Sequence, residues 1–317
     1  MNKTAIFLAS GGCLFTWTLK EWIDESKLNK EINLPLLLWK SFPARCYSQV
    51  WGYFSRLQFP SFLQRRIIQA YAKRFNCNLE ESEKTNCSDF KSLNEFFVRR
   101  LQVGKRSVSA EADVVSCSDG KIIAFGAFEE DAEQQRLKSP IKGMNFVASS
   151  LLGQTPTKIH SENRLFYYVV YLGPGDYHHF HSPFNVTFSN LGHFNGELMP
   201  VKPRFVGMMR SLFVTNERIS LCGRWKHGFA GFVPVAALGV GNIVINDAGS
   251  AGVGAKSLIR SRGWIHLPVA LSFAKGKEVG RFELGSTVAV IFEAPASFSW
   301  TVAENQTVQV GCSLGKV

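Results

Sequence analysis

Two hydrophobic textures divide the chain near residue 105. Before it, Leu63, Ile67, Ile68, Tyr71 and Phe75 recur at helical spacing, while Arg65, Arg66, Lys73 and Arg74 lie largely off that stripe. Pro60-Ser61 marks where this helix opens. Ser92 and Glu95 form a capping-box pattern before Phe96-Phe97-Val98-Arg99-Arg100, which predicts a second helix start. After residue 105 the apolar runs shorten and are broken by Gly, Pro and Asn. Val114 to Ile123 reads as strand, Asp119-Gly120 turn, strand. Leu165 to Leu172 is a strand stopped by Gly173-Pro174-Gly175, and further strands are predicted over Phe232–Leu238 and Val288–Phe292. Asn246 to Arg262, polar and rich in Gly and Ser, reads as a loop. The fold class is therefore α+β, with helices first and a β-rich domain after them.

Ala5 to Leu19 is mostly apolar but shorter than the roughly 18 residues of a confident membrane span, so it reads as a short anchor. A signal-peptide core is the competing reading, and no Arg-rich transit peptide precedes the segment. Residues 1–33 are assigned to this anchor and a charged linker, 34–105 to an amphipathic helical region, and 106–317 to the β-rich domain. A net charge of +11 over 317 residues implies an anionic partner. Without zinc-finger spacing or an aromatic-basic RNA signature, the partner is an anionic membrane surface rather than nucleic acid. The basic flank of the 60–75 helix fits lipid phosphates, and fits equally a solvated face over a protein core. Seven scattered cysteines without CxxC pairs indicate a reducing compartment.

Two stretches carry candidate chemistry. In Phe282-Glu283-Leu284-Gly285-Ser286-Thr287, a turn feeds the apolar run that follows. Gly285 leaves its carbonyl open to close approach, and the Ser286 hydroxyl lies one residue away. Attack there moves the acyl group from nitrogen to oxygen. The resulting ester would lose its acyl chain by β-elimination, and the dehydroalanine left would hydrolyse to a pyruvoyl group and ammonia. In Asp176-Tyr177-His178-His179-Phe180-His181, imidazoles follow a strand and a turn, where acid–base groups are commonly presented. Histidines satisfied within the fold are the competing reading, and a metal site is disfavoured, because adjacent histidines on an extended segment point to opposite faces. Gly311-Cys312-Ser313-Leu314-Gly315 matches a nucleophile elbow by chance, since the chain ends at Val317. Gly249 to Ser257 departs from a phosphate loop by an extra residue.

Lys275-Gly276-x-Glu278-x-Gly280-x-Phe282-x-Leu284-Gly285-Ser286-Thr287 resembles the self-cleavage region of phosphatidylserine decarboxylase proenzymes. Tyr171-Leu172-x-Pro174-x-Asp176-Tyr177-His178-x-x-His181-x-Pro183 resembles that family's histidine segment. Ser118-Asp119-Gly120, Phe96-Phe97-x-Arg99, Lys142-Gly143 and Asn216-Glu217-Arg218 fit in the family's order. Trp225-Lys226-His227-Gly228-Phe229 and Phe292-Glu293-Ala294-Pro295 are similar to its mitochondrial form. Gly239-Val240-Gly241-Asn242-Ile243 departs from the family's usual Asn-Val-Gly-Ser-Ile.

The resemblance implies membrane-associating helices followed by a self-processing β-rich catalytic domain. Asp119 would orient His181, and His181 would deprotonate Ser286. Cleavage between Gly285 and Ser286 would give a β chain (1–285) and an α chain (286–317) that stay associated. Ser286 would become the pyruvoyl cofactor and Schiff-base electrophile, and His178 would assist decarboxylation and reprotonation. Lys142, Gly143 and Tyr177 are the implied substrate-binding positions, and no metal is required. The implied partners are phosphatidylserine, an anionic membrane surface and, as an open case, a second copy in a homodimer. The implied location is the mitochondrial inner membrane, peripheral or held by one short anchor, with another intracellular membrane as the alternative. Two rivals stay open: a serine hydrolase built on Asp119, His181 and Ser286, and a lipid-binding scaffold.

Overall fold

Helices come first, and the second and third start at a proline and at a serine cap. The computed structural model describes residues 44–128, 147–201, 212–239, 242–247, 263–283 and 286–317. The anchor and linker expected over 1–33 therefore lie outside the described residues, as do Lys142, Gly143, Leu284, Gly285 and most of the loop expected over 246–262. Helix α1 (Ala44–Arg56) precedes α2 (Ser61–Phe75). Pro60 is the N-cap of α2, and its carbonyl takes Leu63 N at 2.9 Å and Gln64 N at 3.0 Å. Gln64, Ile68 and Ala72 are the buried positions of α2. The covered face is thus rotated from the predicted stripe, and Phe62 and Leu63 are exposed. Helix α3 (Leu93–Phe97) opens on the predicted cap: the Ser92 hydroxyl accepts Glu95 N at 3.1 Å. The Glu95 carboxylate turns back to Lys91 N rather than to Ser92 N. Ile68, Ala72, Cys87, Phe90, Leu93 and Phe96 close a small core here.

The β-rich part runs β1 (Val114–Val115), β2 (Gly120–Ala127), α4 (Ala148–Leu152), β3 (Asn163–Leu172), β4 (His179–His181) and β5 (Val186–Asn195). It continues with α5 (Leu212–Thr215), β6 (Arg218–Trp225), β7 (Gly228–Ala236), β8 (Asn242–Ile245), β9 (Gly263–Phe273) and β10 (Glu278–Glu283). The last strands are β11 (Ser286–Pro295), β12 (Ser299–Trp300), β13 (Thr307–Val308) and β14 (Ser313–Lys316). The main sheet is antiparallel, ordered β13-β2-β3-β11-β7-β6-β5-β9. Two three-stranded sheets, β4-β10-β8 and β1-β14-β12, complete it. The run Val288–Phe292 is apolar at every position because β11 is interior, flanked by β3 and β7 and buried on both faces. Phe166, Phe292, Phe298 and Trp300 pack against one another over it.

The turn predicted at Asp119-Gly120 is a correction, since β1 and β2 do not form a hairpin. β1 pairs with β14, while β2 pairs with β3 and β13 in a different sheet. The link between them is held instead by Ser116 Oγ donating to Ser118 O at 2.7 Å and by the partners of Asp119. Gly120 is required because its φ is +146° and a Cβ there would overlap the Tyr171 carbonyl. The strand predicted over Phe232–Leu238 is shifted toward the N-terminus and spans Gly228–Ala236.

Register places the site. β2 begins at Gly120, β3 ends at Leu172, β7 ends at Ala236 and β11 begins at Ser286, with Ser286 opposite both Leu172 and Ala236. These termini share one end of the main sheet. β10 belongs to the other sheet, paired with β4 and β8. The chain therefore changes sheets across residues 284–285.

Candidate active site

The turn that ends β3 is bound on several sides. The Asp176 carboxylate accepts Gly173 N at 2.7 Å, Tyr71 donates its hydroxyl to Pro174 O at 3.0 Å, and Arg99 Nη2 donates to Gly175 O at 2.6 Å. Helices α2 and α3 thus hold the turn that launches the histidine segment. Contacts from Tyr71 and Arg99 cross the boundary expected near residue 105, and residues 44–317 form one compact unit.

His178 is fully buried, with the Phe97 ring 3.9 Å from its own. Its Nδ1 lies 2.8 Å from Asp176 O, a pure acceptor, so Nδ1 carries the proton and Nε2 keeps its lone pair. Nε2 is buried without a hydrogen-bond partner. Burial, with the nearby charge of Arg99, pushes the pKa of His178 down to about 3, so the ring is neutral at physiological pH.

His181 is oriented by the same logic. Nδ1 donates to Gly276 O at 2.9 Å, which fixes the tautomer, and Nε2 faces the Tyr177 hydroxyl at 3.2 Å. Burial lowers the pKa of His181, partly offset by the Gly276 bond and by Glu278. Burial raises that of Tyr177 above the ordinary phenol value. His179 points the other way. Its Nε2 donates to Val98 O at 3.0 Å, and its ring stacks on Tyr177. His179 Nδ1 is 3.1 Å from Glu278 Oε1, off the hydrogen-bonding direction, so that contact is an electrostatic one. Burial works to raise the Glu278 pKa, but His179 and Asn246 outweigh it and hold it at about 2.

Asp119 sits at the start of β2 with its carboxylate in the fork of Arg106, whose Nε is 3.0 and 3.1 Å from the two oxygens. Val310 N donates to the same carboxylate at 2.9 Å, and Arg106 also pairs with Glu81 at 2.8 Å. Among the described residues, no hydrogen bond joins Asp119 to His181. A backbone carbonyl, not Asp119, sets the His181 tautomer. Asp119 reaches His181 through its field, which favours the imidazolium.

Backbone pairing brings the cleavage segment to these groups. Phe282 N donates to His178 O at 3.0 Å, and Glu278 stands opposite His181 between β10 and β4. The strand entering residues 284–285 therefore lies along the histidines, and the strand leaving them starts beside Leu172. Thr287, next to Ser286, has a buried hydroxyl without a partner. Helix α1 reaches the same segment through Arg56, whose Nη2 is 2.7 Å from Glu283 Oε2. Among the described residues, no cluster of His, Cys, Asp and Glu could hold a metal ion.

Gly276 and Arg106 escaped the sequence reading. Lys275-Gly276 stood in a quoted motif, but a contact made through a backbone carbonyl leaves no residue-type signal. Arg106 falls outside every motif.

Buried histidines thus lie along the strand that enters residues 284–285, where the chain passes from one sheet to another. The family model described as phosphatidylserine decarboxylase matches residues 93–316. A mitochondrial phosphatidylserine decarboxylase proenzyme of Cricetulus griseus is 33% identical, covering 100% of this chain and 85% of its own length. That of Rattus norvegicus is 32% identical over the same shares. Proenzyme 1 of Schizosaccharomyces pombe is 32% identical, covering 87% of this chain and 81% of its own length. The chain belongs to the phosphatidylserine decarboxylase family.

Proposed function

We propose that the chain cuts itself between Gly285 and Ser286, turns Ser286 into a pyruvoyl group, and decarboxylates phosphatidylserine to phosphatidylethanolamine. The observation that carries this is the change of sheet across residues 284–285 beside His178, which is buried and neutral. A cut there leaves each new end held by its own ladder. The β-chain end stays in β10 between β4 and β8, and the α-chain start stays in β11 between β3 and β7. β13 on β2 and β14 on β1 add further pairings between the two products. The fragments remain one body.

His181 is the base for self-cleavage. Its Nδ1–H is committed to Gly276 O, so the Nε2 lone pair accepts the Ser286 proton once the Tyr177 hydroxyl gives way. Asp119, fixed by Arg106 and Val310 N, steadies the imidazolium that forms. His178 serves the second reaction. Its orphaned Nε2 suits a proton taken from the substrate amine and returned to the α-carbon when CO₂ has left. The pyruvoyl carbonyl supplies an electrophile for the amine and a sink for the electron pair released with CO₂. Lys142 and Gly143 complete the substrate-binding positions, with Tyr177 beside the base.

The helical region meets the lipid. Val50, Tyr53 and Phe54 of α1 and Phe62 of α2 are exposed, with Arg65, Arg66, Lys73 and Arg74 on the same pair of helices. Among the described residues, no helix is long and apolar enough to cross a membrane. The protein acts at the mitochondrial inner membrane, held peripherally through this face and the segment before residue 34, and a homodimer is compatible with it.

Vesicles of carboxyl-labelled phosphatidylserine test the activity. Release of labelled CO₂, stopped by hydroxylamine, is the expected result. Labelling of Ser286 by a fluorophosphonate without CO₂ release would make the protein a hydrolase instead.

A further inference from the structure

Phe96-Phe97-x-Arg99 has no role in the chemistry above, yet its residues touch the histidine segment one after another. The Phe97 ring packs on His178, Val98 O takes His179 Nε2, and Arg99 Nη2 donates to Gly175 O. Arg99 Nη2 also lies 3.5 Å from Asp176 O, the same carbonyl that takes the His178 Nδ1 proton. We infer that the end of α3 is the seat of His178, and that Arg99 is a positioning residue acting on decarboxylation through it.

Arg99 is 4% exposed, and its Nε and Nη1 have no hydrogen-bond partner. Among the described residues no carboxylate stands within ion-pair distance of it, because Asp176 is turned to Gly173 N. A buried guanidinium so incompletely satisfied is a poor stability device, since an apolar side chain of the same size avoids the desolvation cost. Its position has a use. Pinning the 175–176 backbone keeps the Asp176 carbonyl aimed at Nδ1, which leaves Nε2 as the free lone pair. Its positive charge also opposes protonation of the ring. The charged and titratable groups around His178 are Arg99 just past the C-cap of α3, His179 beside it with Glu278 from β10, and Asp176 in the turn. Tyr71 and Cys77 flank Arg99 from the α2 side.

This inference rests on the reading of His178 as the decarboxylation residue, and a double-mutant cycle in the full-length processed protein separates the two. Arg99→Met is expected to cut normally by intact mass and to lose about tenfold or more in kcat with little change in KM. Its kcat should gain an acid limb, because the proton affinity of His178 rises when the charge is removed. In a His178→Ala background, Arg99→Met should cost no further activity. Arg99→Lys keeps the charge and loses the fork, so it should recover part of kcat, and it serves if the Met variant fails to fold. A loss equally large with and without His178, or an unchanged kcat, would overturn the role given to Arg99. Full activity in His178→Ala alone would instead remove the role given to His178.

Discussion

The two ends of β11 bury polar groups in opposite ways. At the far end Glu293, wholly buried, accepts Ile159 N and His160 N at 2.8 Å, Phe229 N at 2.9 Å and Asn163 Nδ2 at 3.1 Å. Burial would raise its pKa, but these donors outweigh it and keep the carboxylate charged. Gly228, at φ +130°, is needed there because a Cβ would overlap the Glu293 carboxylate. At the near end His178 Nε2, Thr287 Oγ1 and two nitrogens of Arg99 are buried without partners. The Glu293 carboxylate thus has four donors, while Thr287 and the His178 ring near the other end of the strand keep unpaired atoms. Unsatisfied buried groups cost about 1–3 kcal/mol each; Thr287 follows Ser286 directly, and His178 is tied through its carbonyl to Phe282 N on the strand that enters residues 284–285.

Substitutions at the near end sharpen this contrast most. His181→Ala should leave a single uncut chain. His178→Ala should cut yet lose roughly 10²–10⁴ in kcat, the range of general acid–base catalysis. Identical behaviour of the two variants would remove the division of labour between them. At the far end, Glu293→Gln should destabilise the protein by about 3 kcal/mol, since at least one donor would face an amide NH₂. The protein that does fold should still cut and turn over normally. A lost kcat at full stability would show that the two ends are not separate.

Acid should weaken the near end through its histidines. His178 has a folded pKa of about 3 against an unfolded value of about 6.5. Between those values the unfolded chain binds a proton that the folded chain does not, so stability falls as pH drops below about 6.5. The slope is on the order of 1.4 kcal/mol per pH unit for each histidine held neutral, and His181 adds to it until its own lowered pKa is reached. Denaturant melts from pH 7 to 4 should show the loss, and His178→Phe should reduce it. The smallest effect belongs to Arg56→Ala. Its half-exposed pair with Glu283 is worth less than about 1 kcal/mol, so melting should barely change. A slower cut in that variant would show that α1 steadies the segment before residue 284.

Much of the near end is legible in the sequence. Asp119, His178, His181 and Ser286 stand in ordered motifs, and the β11 run is apolar without interruption. Local pattern could not give pairing partners, which is why β1 and β2 read as a hairpin while they belong to different sheets. Nor does a residue string show that Gly276 O orients His181, or that Asp119 spends its oxygens on Arg106 and Val310 N. Those are backbone and long-range contacts. The stripe on α2 is legible in part: Ile68 is buried in the small core and Tyr71 packs against it, while Leu63 is exposed and Ala72, outside the stripe, is buried.

The intact mass of the denatured protein, for wild type and Ser286→Ala side by side, tests the central claim most directly. Wild type should give two species dividing at Gly285/Ser286, the smaller carrying a ketone in place of the serine amine, and Ser286→Ala should give one full-length mass without decarboxylase activity. A wild-type protein that decarboxylates phosphatidylserine as a single uncut chain would contradict the account.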